Sequence, residues 1–329
     1  MSFILLGILS SQASAGFDPE SFYTVFLDGA DSEAGITEKD GVLIIWRGNG
    51  NYWLQTGGPG TSFTALTVDN NVGAFGANAN VFIAVPRGSA TNSVKISTTG
   101  ASGSWTTAPN SSTDNYGERR AVIASPVDPN AFYISGRVGE METDFIYYSL
   151  NNGVSGTGPL TYAQQSHRFN QAARSSSEWM IQPTLSNFNS NDFVYFIGNG
   201  TSWTQYTSSL NWNDGGRSVT TDGTYFYGTR SNSKQLWKRT GTNTFTTAPD
   251  PLQLNGNSVL HYAFGTFFFW LQQHGSYWYS DTWNSGYTQV SIGSTRLNSE
   301  TRFNGPQSSE TNQKVYVSRV DQGGFIAIG

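Results

Sequence analysis

Cysteine is absent from the 329-residue chain, which excludes disulfide bridges, thiolate zinc sites and a cysteine nucleophile. The compartment stays open, because secreted proteins can lack disulfides. Charge is scarce as well. Asp, Glu, Lys and Arg make up 12% of the residues, the net charge is −5, and no basic cluster is longer than the Arg119–Arg120 pair, so nucleic acid is not an expected partner. The three histidines, His167, His261 and His274, have no zinc-site spacing. Asp28, Asp31 and Glu33 in "DGADSEAG" lack the spacing of a calcium loop, and no cofactor or metal is expected. After residue 10 nothing approaches the roughly 20-residue apolar run of a membrane helix, so membrane insertion is not expected either.

What is present is aromatic, small and polar: 14% Phe, Trp and Tyr and 37 Gly, with Ser, Thr and Asn filling most of the remainder. That mixture suits many short strands with turns and suits helices poorly. A repeat orders it. Turn residues lead to an aromatic at Phe63, Trp105, Tyr162, Trp203, Phe245 and Tyr287, at intervals of 42, 57, 41, 42 and 42 residues. The long interval contains "GEMETD" and "VSGTGP", which read as inserted loops. Upstream of each aromatic lie two β-rich runs, such as "VLIIW" then "YWLQ", "AFYIS" then "FIYYS", and "FFFWL" then "YWYSD", with a weaker leading run such as "GRSVTTDG". Each unit therefore reads as a four-stranded antiparallel meander, the length and content of a propeller blade.

Six units fill residues 35 to about 291, and "RFNGPQSS", "KVYVSRV" and "GFIAIG" supply three strands of a seventh. Its outermost strand is missing, while "SFYTVFLD", from Ser21 to Asp28, is a strand-like run with no unit of its own. The expected architecture is an all-β, seven-bladed β-propeller of four-stranded antiparallel blades with an extended N-terminal arm. Residues 1–20 form an apolar anchor arm, 21–34 the strand closing the last blade and a linker, and 35–329 the propeller. An alternative phase takes Phe325 as the seventh turn aromatic.

The units "STTGASGSW" and "SLNNGVSGTGPLTY" resemble degenerate Asp-box hairpins of sialidase-like propellers. That resemblance implies three arginines clamping a substrate carboxylate, a Tyr nucleophile activated by Glu, and an Asp acid. Arg119, Arg168, Arg217 and Arg302 stand at or near the starts of innermost strands, which places them around an axial channel. The Arg-Ile-Pro motif of the enzymes is absent, and Glu118, Glu140, Glu142, Asp144 and Glu178 are bunched in units three and four. The arginines are accordingly read as ordering carbonyls and water, with no catalytic residue and no enzyme activity. Trp53 and Trp283, near turns, are candidates for stacking on sugar faces; inter-blade packing would use the same side chains.

The chain opens with MSFILLGILSSQASAG. An apolar run from Phe3 to Leu9 followed by the Ala13–Ala15 step reads like a secretory signal, but no Lys or Arg precedes the run. Ser2 to Ala13 resembles an N-terminal motif, S-F-I-L-L-G-I-L-x-S-Q-A, of virion structural proteins of tailed bacteriophages, especially marine and cyanobacterial phages. The resemblance implies a docking tag kept on the mature chain and a place in the virion. Phe3, Ile4, Leu5, Leu6, Ile8 and Leu9 would then enter a partner groove, and the partners would be other virion proteins in multiple copies, with host-surface glycan as a further ligand. Two other readings stay open: a secreted sialidase-like or lectin-like propeller, cleaved after Ala15, and a connector of virion subunits that binds no glycan.

Overall fold

Short apolar runs bounded by Gly, Asn, Asp and Ser become strands, and none of the described residues is helical. The computed structural model describes residues 16–26, 35–46, 51–58, 60–68, 72–86, 93–109, 119–125, 128–138, 142–150, 153–154, 160–162, 166–175, 177–185, 192–199, 202–211, 218–230, 234–252, 257–272, 274–295, 297, 307–319 and 324–329. Its strands form seven antiparallel sheets, each following one expected repeat unit.

The first blade is β2 (Gly35–Lys39), β3 (Val42–Trp46), β4 (Asn51–Gln55) and β5 (Thr64–Thr67). The second is β6 (Val72–Ala77), β7 (Phe82–Pro86), β8 (Lys95–Ser97) and β9 (Thr106–Thr107). The third starts with β10 (Arg119–Ala124), β11 (Ala131–Val138) and β12 (Glu142–Ser149). The fourth is β15 (Ser166–Ser175), β16 (Glu178–Leu185), β17 (Asp192–Gly198) and β18 (Trp203–Asn211). Then follow β19 (Val219–Thr221), β20 (Phe226–Arg230), β21 (Gln235–Gly241) and β22 (Thr244–Pro249), and β23 (Ser258–Ala263), β24 (Thr266–Leu271), β25 (Ser276–Ser280) and β26 (Thr288–Ser291). The last sheet runs β27 (Gln307–Ser309), β28 (Lys314–Ser318), β29 (Phe325–Ile328) and then β1 (Phe22–Phe26).

Two corrections to the sequence reading fall in the third blade. Glu142 to Asp144 of "GEMETD" are strand and not loop: they pair with Val138, Arg137 and Gly136, so β12 takes in half of the segment, while Gly139 to Met141 lie outside the described residues. The fourth position is split. β13 (Gly153–Val154) pairs with Tyr148 and Ser149, while β14 (Leu160–Tyr162) pairs with Thr143 to Phe145, giving this sheet five strands. The 57-residue interval is therefore an enlarged blade, and a count of turn aromatics alone does not distinguish that from a loop.

Burial follows strand rank within a blade. The second strands β7 (FIAVP) and β24 (TFFFWL) are buried at every residue, as continuous apolar runs require, whereas the outermost β5 (TALT) and β26 (TQVS) begin with Thr and are largely exposed. The described residues form two compact units, one within residues 35–168 and the other within 169–301 together with 16–26 and 313–329. In the first, Ile44, Trp46 and Tyr52 pack on Phe75 and Phe82 of the next blade, and Ala74, Ile83 and Val85 pack on Val122, Phe132 and Ile134. In the second, Met180 and Tyr195 meet Phe226 and Trp237, Tyr227 meets Leu260 and Phe267, and Phe268, Trp270 and Tyr277 meet Val315, Val317, Ile326 and Ile328.

Short polar side chains make the turns from the first strand to the second. Asn78 Oδ1 accepts from the amides of Asn80 and Val81 (2.9 Å each), Asp222 Oδ1 from Thr224 (2.7 Å) and Tyr225 (2.8 Å), and Ser309 Oγ from Asn312 (3.0 Å). In "STTGASGSW" the Ser97 hydroxyl accepts from the Gly100 amide (2.7 Å) and pairs with Ser104 Oγ (2.5 Å), stapling the hairpin before Trp105. Glycine also makes room for tryptophan. Gly35 stands opposite Trp46, Gly198 opposite Trp203 and Gly228 opposite Trp237, and a Cβ at any of the three would fall inside contact distance of the facing indole.

One arrangement recurs between neighbouring blades. Tyr52, on the third strand of the first blade, donates its hydroxyl to Gly100 O (2.7 Å) and meets Trp105 edge-on at 5.8 Å. Tyr195 does the same with Asn243 Oδ1 (2.9 Å) and Phe245 (5.7 Å), and Tyr277 with Pro19 O (2.7 Å) and Phe22 (6.4 Å). In each case the partner is the entry to the outermost strand of the following blade. Burial pushes all three phenols above their ordinary range, so they remain protonated donors. The seventh turn aromatic is therefore Phe22, not Phe325, which opens the third strand β29 and is buried.

β1 pairs with β29 in the register Phe22↔Ile328, Tyr23↔Ala327 and Thr24↔Ile326, with a bulge before Phe26↔Phe325. The residues leading into it are also held. Phe17 packs at 4.6 Å on Phe264 and 5.8 Å on Phe268, Glu20 accepts from the Tyr279 hydroxyl, and Ser21 O accepts from the Gly329 amide (3.0 Å).

Candidate functional site

Turns and strand ends of the fourth and fifth blades bring Arg174, Glu178 and Arg239 together. The β15–β16 turn, closed by the Ser177 amide on Ser175 Oγ (3.2 Å), sets Arg174 opposite Glu178, and their side chains form an ion pair. Arg174 Nη1 also donates to Thr224 O (2.9 Å). The other Glu178 oxygen accepts from Arg239 Nη1 (3.0 Å). Arg239 leaves β21 just before a bulge that interrupts its pairing with β22, and its side chain is only 9% exposed. The guanidinium lies 5.8 Å from the Tyr195 ring and 5.9 Å from Phe226, and Arg174 approaches Phe226 at 5.8 Å.

A cavity of about 260 Å³ opens beside this triad, lined by Arg174, Glu178, Arg239, Tyr225 and the Thr240–Thr242 turn. Lys238 Nζ sits 3.8 Å from the centre of the Tyr225 ring. Behind it, Asp222 Oδ2 accepts from the Tyr227 hydroxyl (2.7 Å), and burial together with that carboxylate pushes the Tyr227 phenol far up. The cavity thus presents two guanidiniums, one carboxylate already bonded at both oxygens, an aromatic ring and two threonines. Such a set binds polar, anionic groups.

The residues named from sequence are distributed elsewhere. Arg119 is the first residue of β10 and Arg168 the third of β15, both innermost strands, but their side chains, like all of Arg217 and Arg302, lie outside the described residues. So do Phe3, Ile4, Leu5, Leu6, Ile8 and Leu9, and Asp28, Asp31 and Glu33 of the "DGADSEAG" run. Trp53 is half-buried on β4, opposite Ala65. Trp283 is half-buried too; its ring lies 5.9 Å from Tyr227 and its carbonyl accepts from Tyr287 OH (2.9 Å), so it packs between the fifth and sixth blades. Glu178 entered the sequence reading only as one of several bunched acids, and Arg174 and Arg239 did not enter it. The signals were the charges at the two ends of "RSSSE" and the Lys238–Arg239 pair that follows Leu236 and Trp237 in β21.

Among the described residues no three His, Asp or Glu side chains converge as a metal site would require. His274 packs at 5.2 Å on Trp278, and His261 stands on β23 opposite Phe268. Burial pushes the His261 imidazole down from 6.5 to about 4. Between those values the unfolded chain binds a proton that the folded protein excludes, so stability is complete above about 6.5 and declines on acidification towards about 4. Thermal melts across that interval should show the decline, and His261→Gln should remove its share of it.

No protein-family model matches the chain, and no curated protein matches it. Solved structures do. The structure described as YCF48 bound to D1 peptide superposes with a TM-score of 0.67 at 10% identity, covering 95% of this chain and 97% of that one. A streptogramin B lyase structure gives 0.62 at 10% identity, with 94% and 98% covered. YCF48 from Cyanidioschyzon merolae gives 0.61 at 13%, with 93% and 98% covered. The fold is a β-propeller. At these identities the likeness establishes the propeller and nothing of its chemistry, since a lyase and a peptide-binding protein share the architecture with this chain.

Proposed function

We propose that this propeller is a virion structural protein of a tailed phage, docked onto a tail, baseplate or capsid partner by its apolar N-terminal leader, and serving host attachment or particle decoration rather than catalysis. The junction between leader and propeller carries the proposal. From Phe17 onward the chain is pinned by aromatic packing, by Tyr277 and by pairing with β29, so a leader bound to a partner would be rigidly coupled to the propeller. Each large side chain of Phe3 to Leu9 that enters a partner groove contributes about 1.5–3 kcal/mol before ordering costs. A propeller holding a peptide, as in the YCF48 and D1 peptide structure, is a precedent for a protein partner on this fold.

The test compares the full chain with a variant lacking residues 1–15, using intact mass, thermal melting and incorporation into phage particles. The proposal expects the leader to be present in the mature mass, and its removal to abolish incorporation without lowering the melting temperature. Cleavage after Ala15, or normal incorporation without the leader, would overturn it. The secreted, glycan-binding propeller would then be pursued with carbohydrate arrays and sialidase assays.

A further inference from the structure

We infer that the cavity between the turns of the fourth and fifth blades binds one acidic sugar unit of the hexuronate type, a site independent of how the leader is used. Electrostatics select the charge of the ligand. Arg174, Arg239 and the neighbouring Lys238 outnumber Glu178, and the Asp222 carboxylate beside them is already engaged by two backbone amides and the Tyr227 hydroxyl. Glu178 takes one nitrogen from each guanidinium, while Arg239 Nε is buried without a hydrogen-bond partner among the described residues. A buried cationic donor with no acceptor is costly, and a ligand carboxylate lowers that cost by drawing the guanidinium towards the cavity.

Size and lining select the rest of the ligand. About 260 Å³ is below the roughly 300–1,000 Å³ typical of drug-sized pockets, which favours a single ring over an extended chain. Thr240, Thr242 and the Glu178 carboxylate supply donors and acceptors for ring hydroxyls, and the Tyr225 ring supplies a wall. Arg174 is about one-third exposed, so the attraction is screened and binding should weaken with salt.

Glucuronate, glucose and acetate are the probes, titrated into the full chain by ligand-observed NMR and calorimetry at low and high salt. Glucuronate should bind, glucose and acetate at least about tenfold more weakly, a difference of about 1.4 kcal/mol. Arg174→Gln should weaken glucuronate by about tenfold. Because loss of Arg174 also breaks an ion pair within the fourth blade and a hydrogen bond to Thr224 O of the fifth, Gly241→Glu is the decisive variant. A Cβ at Gly241 meets only ordinary contacts with Thr244, so the new carboxylate can occupy the cavity, abolishing binding with an unchanged melting temperature. Equal binding of acetate and glucuronate would reduce the site to a bare anion site, equal binding of glucose would remove the role of charge, and unaltered binding by Gly241→Glu would place the ligand elsewhere. Each of these, like no binding at all, overturns the inference.

Discussion

A chain that begins at Leu27 is expected to melt far below one that begins at Gly16. The shorter chain lacks β1, and with it the register from Phe22↔Ile328 to Phe26↔Phe325, the Phe17 contacts with Phe264 and Phe268, and the acceptors of Tyr277 OH and the Gly329 amide. Full burial of a Phe is worth about 1.5–3 kcal/mol, of which the partly buried Phe17 contributes a share, and each lost hydrogen bond about 0.5–1.5 kcal/mol, against a typical domain stability of about 5–15 kcal/mol. The buried, apolar strand β29 would also become a sheet edge, a template for aggregation. Tyr277→Phe, which removes one hydrogen bond, should reproduce only about 0.5–1.5 kcal/mol of the loss. Equal melting temperatures for the chains starting at Gly16 and Leu27 would show that the seventh blade does not need β1.

The second large effect is expected at the first blade, where Gly35 faces Trp46 across the β2–β3 ladder. Trp46 is fully buried and packs on Phe75 at 5.8 Å, so Trp46→Ala should cost about 3–5 kcal/mol in denaturant unfolding. Gly35→Ala should cost about 1–3 kcal/mol, because the atoms nearest the added methyl all belong to the Trp46 indole. Removing the indole removes that clash. The double variant should therefore be less destabilised than the two single losses combined, by about 0.5–3 kcal/mol. Strict additivity would mean that the glycine is there for some reason other than the tryptophan.

Much of this architecture could be read from the chain because a propeller repeats its physics. Runs such as "TFFFWL", buried at every position, and the aromatics heading Thr-rich outer strands recur with the blade, and "SFYTVFLD" stood out because it had strand character and no unit of its own. The phase of the last blade was harder. The contacts of Tyr277 with Phe22 and Pro19 O identify the seventh aromatic, and they join segments more than two hundred residues apart in the chain. Local composition also misled in "GEMETD", where charge and a lone Gly suggested a loop although Glu142 to Asp144 belong to β12. The Arg174–Glu178–Arg239 triad was not legible, because Glu178 and Arg239 are 61 residues apart and meet only when two blades pack.

The pairing of β1 with β29 also governs when the protein can finish folding. Phe22 and Ile328 are partners at almost the greatest sequence separation the chain permits, and such non-local contacts form late because loop closure must precede them. During synthesis the earlier blades can assemble as each is completed, but β1 has no ladder to join until Phe325–Ile328 has been made. The apolar run from Phe3 to Leu9 precedes a strand that stays unpaired for that whole interval, the kind of exposure that makes incomplete chains prone to aggregation.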